Sequence, residues 1–478
     1  MSSLVKDTAK GFAWTTLERI LTYVIQFAIG IIIARILSPE DFGVVGMLAI
    51  FISISATLLD SGFASALIRK QDRTNVDYCT AFYFNIIVGA ALYGILFLSA
   101  PLIAKFYSIP ILIPITRVYC ISVFVNSLTI VQTAKLNIEL NFKVQSLISI
   151  ITTILTGIIG IYLAYTNFGV WALVFQSLGS SIIRCILIWW FAKWRPKLIF
   201  SWESFKDLFG FGSKLLVSSI INTIYTNIYT LIIGKVFSPA QVGYYNRANQ
   251  FALLPSQTTT EIVTKVAYPV LSRLQNDTEK LIKAYSLILT APLWLLFPIL
   301  IGLAVLAEPF ILVLIGDKWL ACVPYMQVLC LGYVFSPLSH INLNLLYVKG
   351  RSDLVLKLEL LKKPIAFTIL IISIPFGIEW MIIGKACYEL IAFGFNCYYT
   401  GKILNFGLVN QAKQILPIML RSIVMGIVVY FSNLLVDGNI LKLLIGFFVG
   451  ILSYTILCII MHDNTCCLLI EKLRDKLK

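Results

Sequence analysis

The chain has 478 residues, of which 59% are hydrophobic and 13% are charged, and its formal net charge is +15. A soluble protein cannot bury that much apolar surface, whereas serial apolar runs of about 20 residues can cross a bilayer as helices. The basic residues stand in short loops, which favours a positive-inside bias over nucleic-acid binding as the cause of the net charge. The composition therefore predicts a polytopic helical membrane protein.

Fourteen transmembrane helices are predicted, which defines an all-α polytopic fold. The eighth span is unusually polar, and the eleventh begins among charged residues. The predicted spans are 13–36, 43–68, 78–104, 112–134, 144–165, 168–192, 210–236, 243–270, 285–307, 322–348, 358–376, 379–401, 415–436 and 440–462.

The distribution of basic residues among the loops predicts how the spans are oriented in the membrane. With the N-terminus placed in the cytoplasm, the inner segments hold 23 Lys or Arg residues, and the outer loops hold only Lys105, Lys318 and Lys442. Because cytoplasmic loops of membrane proteins carry the excess of Lys and Arg, we expect both termini to lie in the cytoplasm.

A short stretch occurs twice, at an offset of 200 residues. Residues 34–43 read ARILSPEDFG and residues 234–243 read GKVFSPAQVG, with a shared Ser-Pro pair and a shared final glycine. Ser is a good N-cap and Pro is favoured at the first helical position, so each copy predicts a helix end, a turn and a helix start. The recurrence indicates an internal duplication.

The duplication predicts two six-helix lobes, residues 1–205 and 206–402, followed by two additional helices and a tail in residues 403–478. Because six is even, the lobes have the same topology and form a parallel repeat, as in transporters that rock two lobes about a central site. In the tail, leucines repeat every four residues between 469 and 477, which predicts an amphipathic helix on the inner leaflet.

No catalytic motif is present. The chain has two His and ten Cys, and it contains neither a phosphate-binding loop nor a His-Glu-x-x-His sequence. Most of the cysteines stand in apolar runs, where they act as small buried side chains. We therefore predict no enzyme activity, no metal site and no cofactor.

Polar residues recur at helical spacing in spans one, two and four, and again in spans seven, eight and ten, which are matched positions of the two repeats. Polar faces at membrane depth require protein or water around them. We predict a hydrated cavity between the two lobes. The alternative is helix packing through Ser, Thr and Asn, which does not account for Glu261 and Lys265.

Candidate site residues follow from this cavity. The substrate-cavity candidates are Arg117, Arg184, Asn246, Arg247, Asn249, Gln257 and Lys265. The coupling candidates are Asp60, Glu261 and His340, because a carboxylate or imidazole in a cavity can titrate. Glu18 and Arg19 are assigned to the cytoplasmic mouth, where they would guard the opening or pair with each other.

Other charged residues are assigned structural roles. Arg35 and Lys235, at equivalent positions of the two repeats, are expected to reach the outer membrane interface. Lys385 and Glu389 are interpreted as an i, i+4 pair on one helix.

Several motifs together resemble a known family. Besides the repeated stretch they are Gly11-Phe12-x-Trp14, GYYNRA at 243–248, YPVLSRLQ at 268–275 and GDKW at 316–319. On these residues the sequence resembles the polysaccharide exporters of the multidrug/oligosaccharidyl-lipid/polysaccharide flippase superfamily, of the lipopolysaccharide or colanic-acid type. The likeness spans nearly all of residues 8–400.

The resemblance implies alternating access of two lobes, which move an undecaprenyl-pyrophosphate-linked oligosaccharide from the cytoplasmic to the outer leaflet of a bacterial inner membrane. The product would serve O-antigen, capsule or exopolysaccharide assembly. The cations implied to meet the pyrophosphate are Arg117, Arg184, Arg247 and Lys265. Implied partners are the lipid-linked oligosaccharide, membrane lipids, a polysaccharide polymerase and a chain-length regulator, with coupling to a proton or sodium gradient; no nucleic acid is implied.

Three other functions are compatible with a polytopic helical membrane protein. A multidrug or small-molecule cation antiporter would favour twelve spans and acidic sites, and a peptidoglycan-precursor flippase would share the fourteen spans. A membrane scaffold without transport would not need buried charges. One departure from the family is Asn227-Ile228-Tyr229, where relatives often carry an Asp, so ion coupling through that position is in doubt.

Overall fold

The computed structural model describes residues 21–60 and 62–461, and every regular element in that part of the chain is a helix. Glu18, Arg19 and the predicted tail helix between residues 468 and 478 lie outside the described residues. The helices before residue 237 are α1 (Leu21–Ile36), α2 (Pro39–Asp60), α3 (Phe63–Arg69), α4 (Asn75–Tyr107), α5 (Leu112–Tyr119), α6 (Ile121–Ser127), α7 (Ile130–Ile138), α8 (Phe142–Tyr165), α9 (Val170–Phe191) and α10 (Trp202–Val236).

Ten helices make up the rest of the described chain. They are α11 (Pro239–Arg273), α12 (Thr278–Thr290), α13 (Leu293–Val305), α14 (Ala307–Leu314), α15 (Val323–Tyr333), α16 (Phe335–Val348), α17 (Ser352–Ser373), α18 (Ile378–Leu404), α19 (Leu408–Leu434) and α20 (Asn439–Ile460). One 3₁₀ segment, Asp317–Cys322, lies between α14 and α15, and another, Ile374–Phe376, lies between α17 and α18.

The predicted all-α membrane fold is confirmed. Each predicted span coincides with one helix or with two or three successive helices in the described ranges. Within those ranges, 9 helical stretches are long and apolar enough to cross a membrane. Five predicted spans are outside that set. One is α1, whose described part, Leu21–Ile36, is apolar but shorter than the others. The other four are α10, α11, α17 and α18, which carry more polar or charged residues.

Four predicted spans are interrupted, which corrects the continuous helices expected from the sequence. The span 322–348 divides at Val334 because Pro337 lacks an N–H and its ring would clash with the carbonyl of Tyr333, four residues earlier. Ser256 Oγ donates to that carbonyl over 2.7 Å. The Tyr333 carbonyl, which has no helical N–H donor at the break, thus receives a hydrogen bond from a side chain of α11.

The breaks in two other spans have local causes. Pro292 separates α12 from α13 in the span 285–307. The span 112–134 divides into α5, α6 and α7, and side-chain hydroxyls there donate to carbonyls three residues earlier, a bond that competes with the helical pattern. These hydroxyls belong to Ser122, Ser127 and Thr129.

The fourth break separates α2 from α3 within the predicted span 43–68. Gly62 has φ of 71°, a left-handed conformation that glycine adopts readily. A β-carbon at Gly62 would come 2.5 Å from the Cα of Gly212 in α10. Two glycines therefore let the backbone of α10 approach the break.

The repeated Ser-Pro stretch has the same geometry in both copies. α1 ends at Ile36 and α2 begins at Pro39, and α10 and α11 end and begin at the positions 200 residues later. Asp41 Oδ2 accepts from the backbone N–H of Ser38 over 3.0 Å, and Ser38 Oγ accepts from the N–H of Asp41 over 3.2 Å. This reciprocal capping box confirms the helix start predicted from the sequence.

Contacts divide the chain into two units, Met1–Gly243 and Tyr244–Lys478. The first unit includes α10, because α10 packs on α2, α3 and α4. The sequence repeat instead places α10 at the start of the second six-helix block. The repeat boundaries 1–205, 206–402 and 403–478 remain a prediction.

The segment between α9 and α10 is bonded to the start of α4. Trp194 Nε1 donates to Asn75 Oδ1 over 2.7 Å, and the backbone N–H of Ser201 donates to Thr80 Oγ1 over 3.0 Å. Nearby, the Lys70 ammonium lies 3.0 Å from Asp77, and this hydrogen bond raises the pKa of Lys70. The connection between the two sequence repeats is therefore held against α4 of the first unit by hydrogen bonds.

A buried polar network joins four helices of the second unit. Asn342 Oδ1 accepts from Tyr285 Oη (2.9 Å), Thr400 Oγ1 (2.7 Å) and Gln411 Nε2 (3.0 Å), and all four residues are fully buried. Asn342 Nδ2 donates to Gln411 Oε1 over 3.1 Å. The network connects α12, α16, α18 and α19, so it attaches the first of the two additional helices to the second unit.

Candidate functional site

A polar cavity of about 410 Å³ lies inside the first unit, between α1, α7, α8 and α9. On α8, Ser146, Ser149 and Thr153 are spaced by three and four residues, so they share one face of the helix. The polar lining consists of Gln26, Thr133, Asn137, Gln145, Ser146, Ser149, Thr152, Thr153, Ser180 and Arg184.

Arg184 supplies the charge of this cavity. Among the described residues its guanidinium makes no hydrogen bond, ion pair or ring contact, and no carboxylate of the described chain lines the cavity. Thr152 is only 5% exposed, and its Oγ1 has no hydrogen-bond partner there. The cavity thus offers an uncompensated positive charge and an unsatisfied hydroxyl to a bound polar group.

A second cavity of about 260 Å³ shares Gln26, Thr153 and Ser180 with the Arg184 cavity. Its additional polar lining comes from Thr156 of α8 and from two residues of α9, Gln176 and Ser177. The polar surface therefore continues along α8 and α9 through one unit.

Asp60 lines a separate cavity of about 400 Å³ in the first unit. Thr57, Ser65 and Ser219 contribute hydroxyls to the same cavity. Thr57 Oγ1 and Thr223 Oγ1 are hydrogen-bonded over 2.9 Å, which ties α2 to α10 beside it. Within the described chain the Asp60 carboxylate has no hydrogen-bond or ion-pair partner.

Arg117 does not line either of the cavities that contain Arg184 or Asp60. Its guanidinium lies 4.5 Å from the ring centroid of Phe97, and its Nε is buried without a hydrogen-bond partner among the described residues. The cation is held over an aromatic face between α5 and α4.

Arg247 is enclosed by its neighbours in the second unit. It is 7% exposed, its Nη1 donates to Gln250 Oε1 over 2.9 Å, and its guanidinium lies 5.4 Å from the ring centroid of Trp319. The GYYNRA and GDKW motifs therefore meet through a cation–π contact, which gives Arg247 a packing role in this structure.

Lys385 has partners that the i, i+4 interpretation missed. Its Nζ donates to Tyr245 Oη over 2.7 Å and to Asn249 Oδ1 over 3.2 Å. Tyr333 Oη also donates to Asn249 Oδ1, and the Lys385 ammonium lies 5.4 Å from the Tyr333 ring centroid. Asn249, predicted to line the substrate cavity, here belongs with Tyr245 and Tyr333 to the group of side chains that contact the partly buried Lys385 ammonium.

Three other predicted residues lie along α11. Gln257 Nε2 donates to Glu261 Oε1 over 3.3 Å, and Lys265 is exposed and has no hydrogen-bond or ion-pair partner in the described ranges. Arg247 and Lys265 stand 18 positions apart on this one helix, which corresponds to about 27 Å along its axis. One pyrophosphate group cannot contact both cations at the same time.

Two further candidates occupy ordinary helical positions. His340 is exposed, and its Nδ1 lies 2.9 Å from the carbonyl oxygen of Ser336, one turn earlier on α16. Asn246 is partly buried on α11. No cluster of three or more His, Cys, Asp or Glu side chains within the described part of the chain is arranged to hold a metal ion.

An apolar cavity of about 720 Å³ lies in the second unit between α13, α14, α19 and α20. Its lining includes Trp294, Leu306, Phe447 and Tyr454 and carries no charged side chain. The two additional helices therefore enclose an apolar space rather than a polar one.

Most of the lining of the Arg184 cavity was not predicted from the sequence. The polar stripes predicted for the first repeat are in spans one, two and four, whereas the lining comes largely from spans five and six. The signal was present, because α8 carries Ser146, Ser149, Thr153 and Thr156 at helical spacing. These hydroxyl residues were hidden by the high apolar content of the same span.

Comparison with known proteins places this architecture in a family. The model of a family described as polysaccharide biosynthesis protein matches residues 32–324. The chain is 29% identical over 360 residues to the teichuronic acid biosynthesis protein TuaB of Bacillus subtilis (strain 168), covering 74% of each chain. It is 26% identical over 366 residues to the lipopolysaccharide biosynthesis protein WzxC of Escherichia coli (strain K12), covering 75% of this chain and 74% of that one.

Among solved structures, the lipid II flippase MurJ in an inward closed conformation matches with a TM-score of 0.77 at 17% identity. The match covers 94% of this chain and 99% of that one, and it shows a shared fold. The resemblance inferred from the sequence motifs is confirmed. Because the family model covers more than half of the chain, this multi-pass membrane protein belongs to the polysaccharide biosynthesis protein family.

Proposed function

We propose that this protein is a flippase that moves undecaprenyl-pyrophosphate-linked oligosaccharides from the cytoplasmic to the outer leaflet of a bacterial inner membrane. The translocated unit would enter O-antigen, capsule or exopolysaccharide assembly. Family membership supports the link to polysaccharide biosynthesis. The lipid-linked substrate is proposed from the sequence resemblance.

The observation that carries the proposal is the Arg184 cavity. The cavity is charged and rich in hydroxyl groups, and it lies inside a unit with many exposed apolar side chains. Helix packing through hydroxyl residues does not require the charge of Arg184, because ionisable groups at membrane depth are costly. The cavity suits a hydrophilic cargo that must cross an apolar layer. An antiporter for organic cations would instead require acidic lining, and none of the described residues around Arg184 is acidic.

The proposed mechanism is alternating access of two six-helix lobes, residues 1–205 and 206–402, with both termini in the cytoplasm. The head group would pass through the protein while the lipid tail stays in the bilayer. Arg117, Arg184, Arg247 and Lys265 are the cations proposed to meet the anionic head group, and Asn246, Asn249 and Gln257 are its proposed polar contacts. The 18-position separation of Arg247 and Lys265 favours successive rather than simultaneous contacts.

Coupling to a proton or sodium gradient is part of the proposal. Asp60 is the best-placed carrier of the coupling ion, because its carboxylate faces a cavity with three hydroxyl side chains. Glu261 and His340 are the other candidates. A polysaccharide polymerase and a chain-length regulator are the proposed protein partners.

The test is deletion of the gene in its host, with measurement of surface polysaccharide and of lipid-linked intermediates in each leaflet. We expect surface polysaccharide to fall and the intermediate to accumulate in the cytoplasmic leaflet, with both effects reversed by the intact gene. Unchanged surface polysaccharide without accumulation would refute the exporter function. Rescue of a strain lacking its peptidoglycan-precursor flippase, without any effect on surface polysaccharide, would support that alternative instead.

A further inference from the structure

The charge balance of the Arg184 cavity restricts the group that it can hold. Arg184 is the one charged side chain among its described lining residues, and 9 of the 14 lining residues are neutral hydroxyl or amide side chains. Lys135 of α7 pairs with Glu139 over 3.7 Å and is not among the lining residues. The part of the site that the described residues form therefore presents a single net positive charge.

A single guanidinium matches a monoanion. Its planar fork donates two parallel hydrogen bonds to a carboxylate, and the two charges compensate each other fully. A pyrophosphate bears at least two negative charges and would keep one of them uncompensated in this cavity. The charge count thus favours a carboxylate over the pyrophosphate as the partner of Arg184.

The neutral lining favours a sugar around that carboxylate. Hydroxyl and amide groups both donate and accept, as sugar hydroxyls do, so they can pair with a ring that carries several such groups. Thr152 Oγ1, buried and without a partner among the described residues, is one group that a ligand would satisfy. A volume of about 410 Å³ is at the lower end for ligand sites, which fits one sugar residue better than a whole repeat unit.

We propose that the Arg184 cavity binds one carboxylate-bearing sugar residue of the glycan and that Arg184 pairs with its carboxylate. The inference rests on the proposed flippase function and names the substrate feature that the first unit selects. The pyrophosphate would then pair with cations elsewhere in the chain. Glycans that contain a uronic acid are the preferred cargo.

The test uses the full chain in proteoliposomes and two synthetic undecaprenyl-pyrophosphate disaccharides that differ at one carbon, a glucuronyl carboxylate or a glucosyl hydroxymethyl group. The half-saturating concentration for translocation is measured for each. The wild type should prefer the acidic substrate at least tenfold, and Arg184→Gln should reduce that ratio to about one. Arg184→Lys, which keeps the charge but not the fork, should retain part of the preference.

Arg73→Gln is the matched control, because Arg73 donates to the carbonyl of Lys70 in a loop away from the cavity. It should keep the wild-type ratio. If Arg184→Gln keeps the wild-type preference for the acidic substrate, the proposal is overturned. An equal loss of translocation for both substrates would overturn it too, since that result points to the shared pyrophosphate or to misfolding.

A binding measurement separates this proposal from the flippase function. Thermal stabilisation of the purified protein is followed with glucuronate, glucose and inorganic pyrophosphate. Stabilisation by glucuronate alone, lost in Arg184→Gln and weakened in Thr152→Val, would support the site even if neither lipid-linked substrate is translocated. Stabilisation by pyrophosphate but not glucuronate would overturn it.

Discussion

Gly43 and Pro239 are in backbone contact, although 196 positions separate them in the chain. A β-carbon at Gly43 would overlap the carbonyl oxygen of Pro239, and a β-carbon at Gly243 would overlap that of Pro39. The two copies of the Ser-Pro stretch thus touch reciprocally within the first unit. The shared glycine of the repeat is explained by this contact rather than by turn conformation.

We expect Gly43→Ala to destabilise the protein by about 1–3 kcal/mol, because an added methyl group must displace backbone rather than a flexible side chain. Gly243→Ala should act alike. The measurement is the thermal unfolding midpoint of the purified protein. Gly94→Ala is the control, since nothing lies within 4 Å of its β-carbon position in α4 and alanine suits a helix. Equal midpoints for the variants at positions 43 and 94 would contradict the contact.

The duplication and the helix starts could be predicted from the sequence because they depend on local chemistry. Ser38 caps its helix through its own side chain, and the same pattern recurs 200 residues later. The helix breaks depend on distant partners instead. The carbonyl of Tyr333 accepts a hydrogen bond from Ser256, 77 positions away, and the backbone at Gly62 lies against that of Gly212. No local pattern reveals such partners.

The candidate site was predicted in part. Arg184 was identified because a cation at mid-span is costly in lipid, and the structure places it in a polar cavity. Arg247 was identified beside the polar stripe of the eighth span, yet Trp319 and Gln250 enclose it. Sequence alone cannot separate these two cases, because burial against an aromatic ring and exposure to a cavity both place an arginine within an apolar run.

The Asn342 network predicts a stability effect at the start of α19. Gln411→Leu removes the donor to Asn342 Oδ1 and the acceptor for Asn342 Nδ2 in a fully buried setting. Asn342 keeps other partners, since the Tyr285 and Thr400 hydroxyls still donate to Oδ1 and Nδ2 still donates to the carbonyl of Leu338. The cost is therefore that of the lost hydrogen bonds, about 0.5–1.5 kcal/mol each, and the unfolding midpoint should fall. Asn410→Leu, at an exposed neighbouring position, is the matched control. If both variants unfold at the same temperature, the network does not attach α19.

The hydrogen-bonded connection between α9 and α10 gives a third stability prediction. Trp194→Phe keeps the aromatic packing but removes the hydrogen bond to Asn75 Oδ1, at a cost of about 0.5–1.5 kcal/mol. The segment should also become more sensitive to trypsin at Lys193, Arg195 and Lys197. Trp190→Phe, at a side chain that is 79% exposed, should change neither property. Identical cleavage rates in the two variants would argue against the role of Trp194.

Asp60 gives a prediction about energy coupling. Its carboxylate lines a cavity with Thr57, Ser65 and Ser219, in which a proton or a sodium ion would have oxygen partners. We expect Asp60→Asn to keep downhill translocation of the lipid-linked substrate but to lose its acceleration by an imposed gradient. Rates are measured in proteoliposomes with a pH gradient, a sodium gradient or neither, so the gradient that accelerates the wild type identifies the ion.

Glu139→Gln is the control for Asp60→Asn, because Glu139 pairs with Lys135 at the end of α7 and does not line the Asp60 cavity. It should respond to the gradient as the wild type does. A gradient response retained in Asp60→Asn but lost in Glu261→Gln would transfer the coupling role to α11. A full response in both variants would exclude these two carboxylates, and His340→Gln would then be the decisive variant, since its imidazole is the third candidate group.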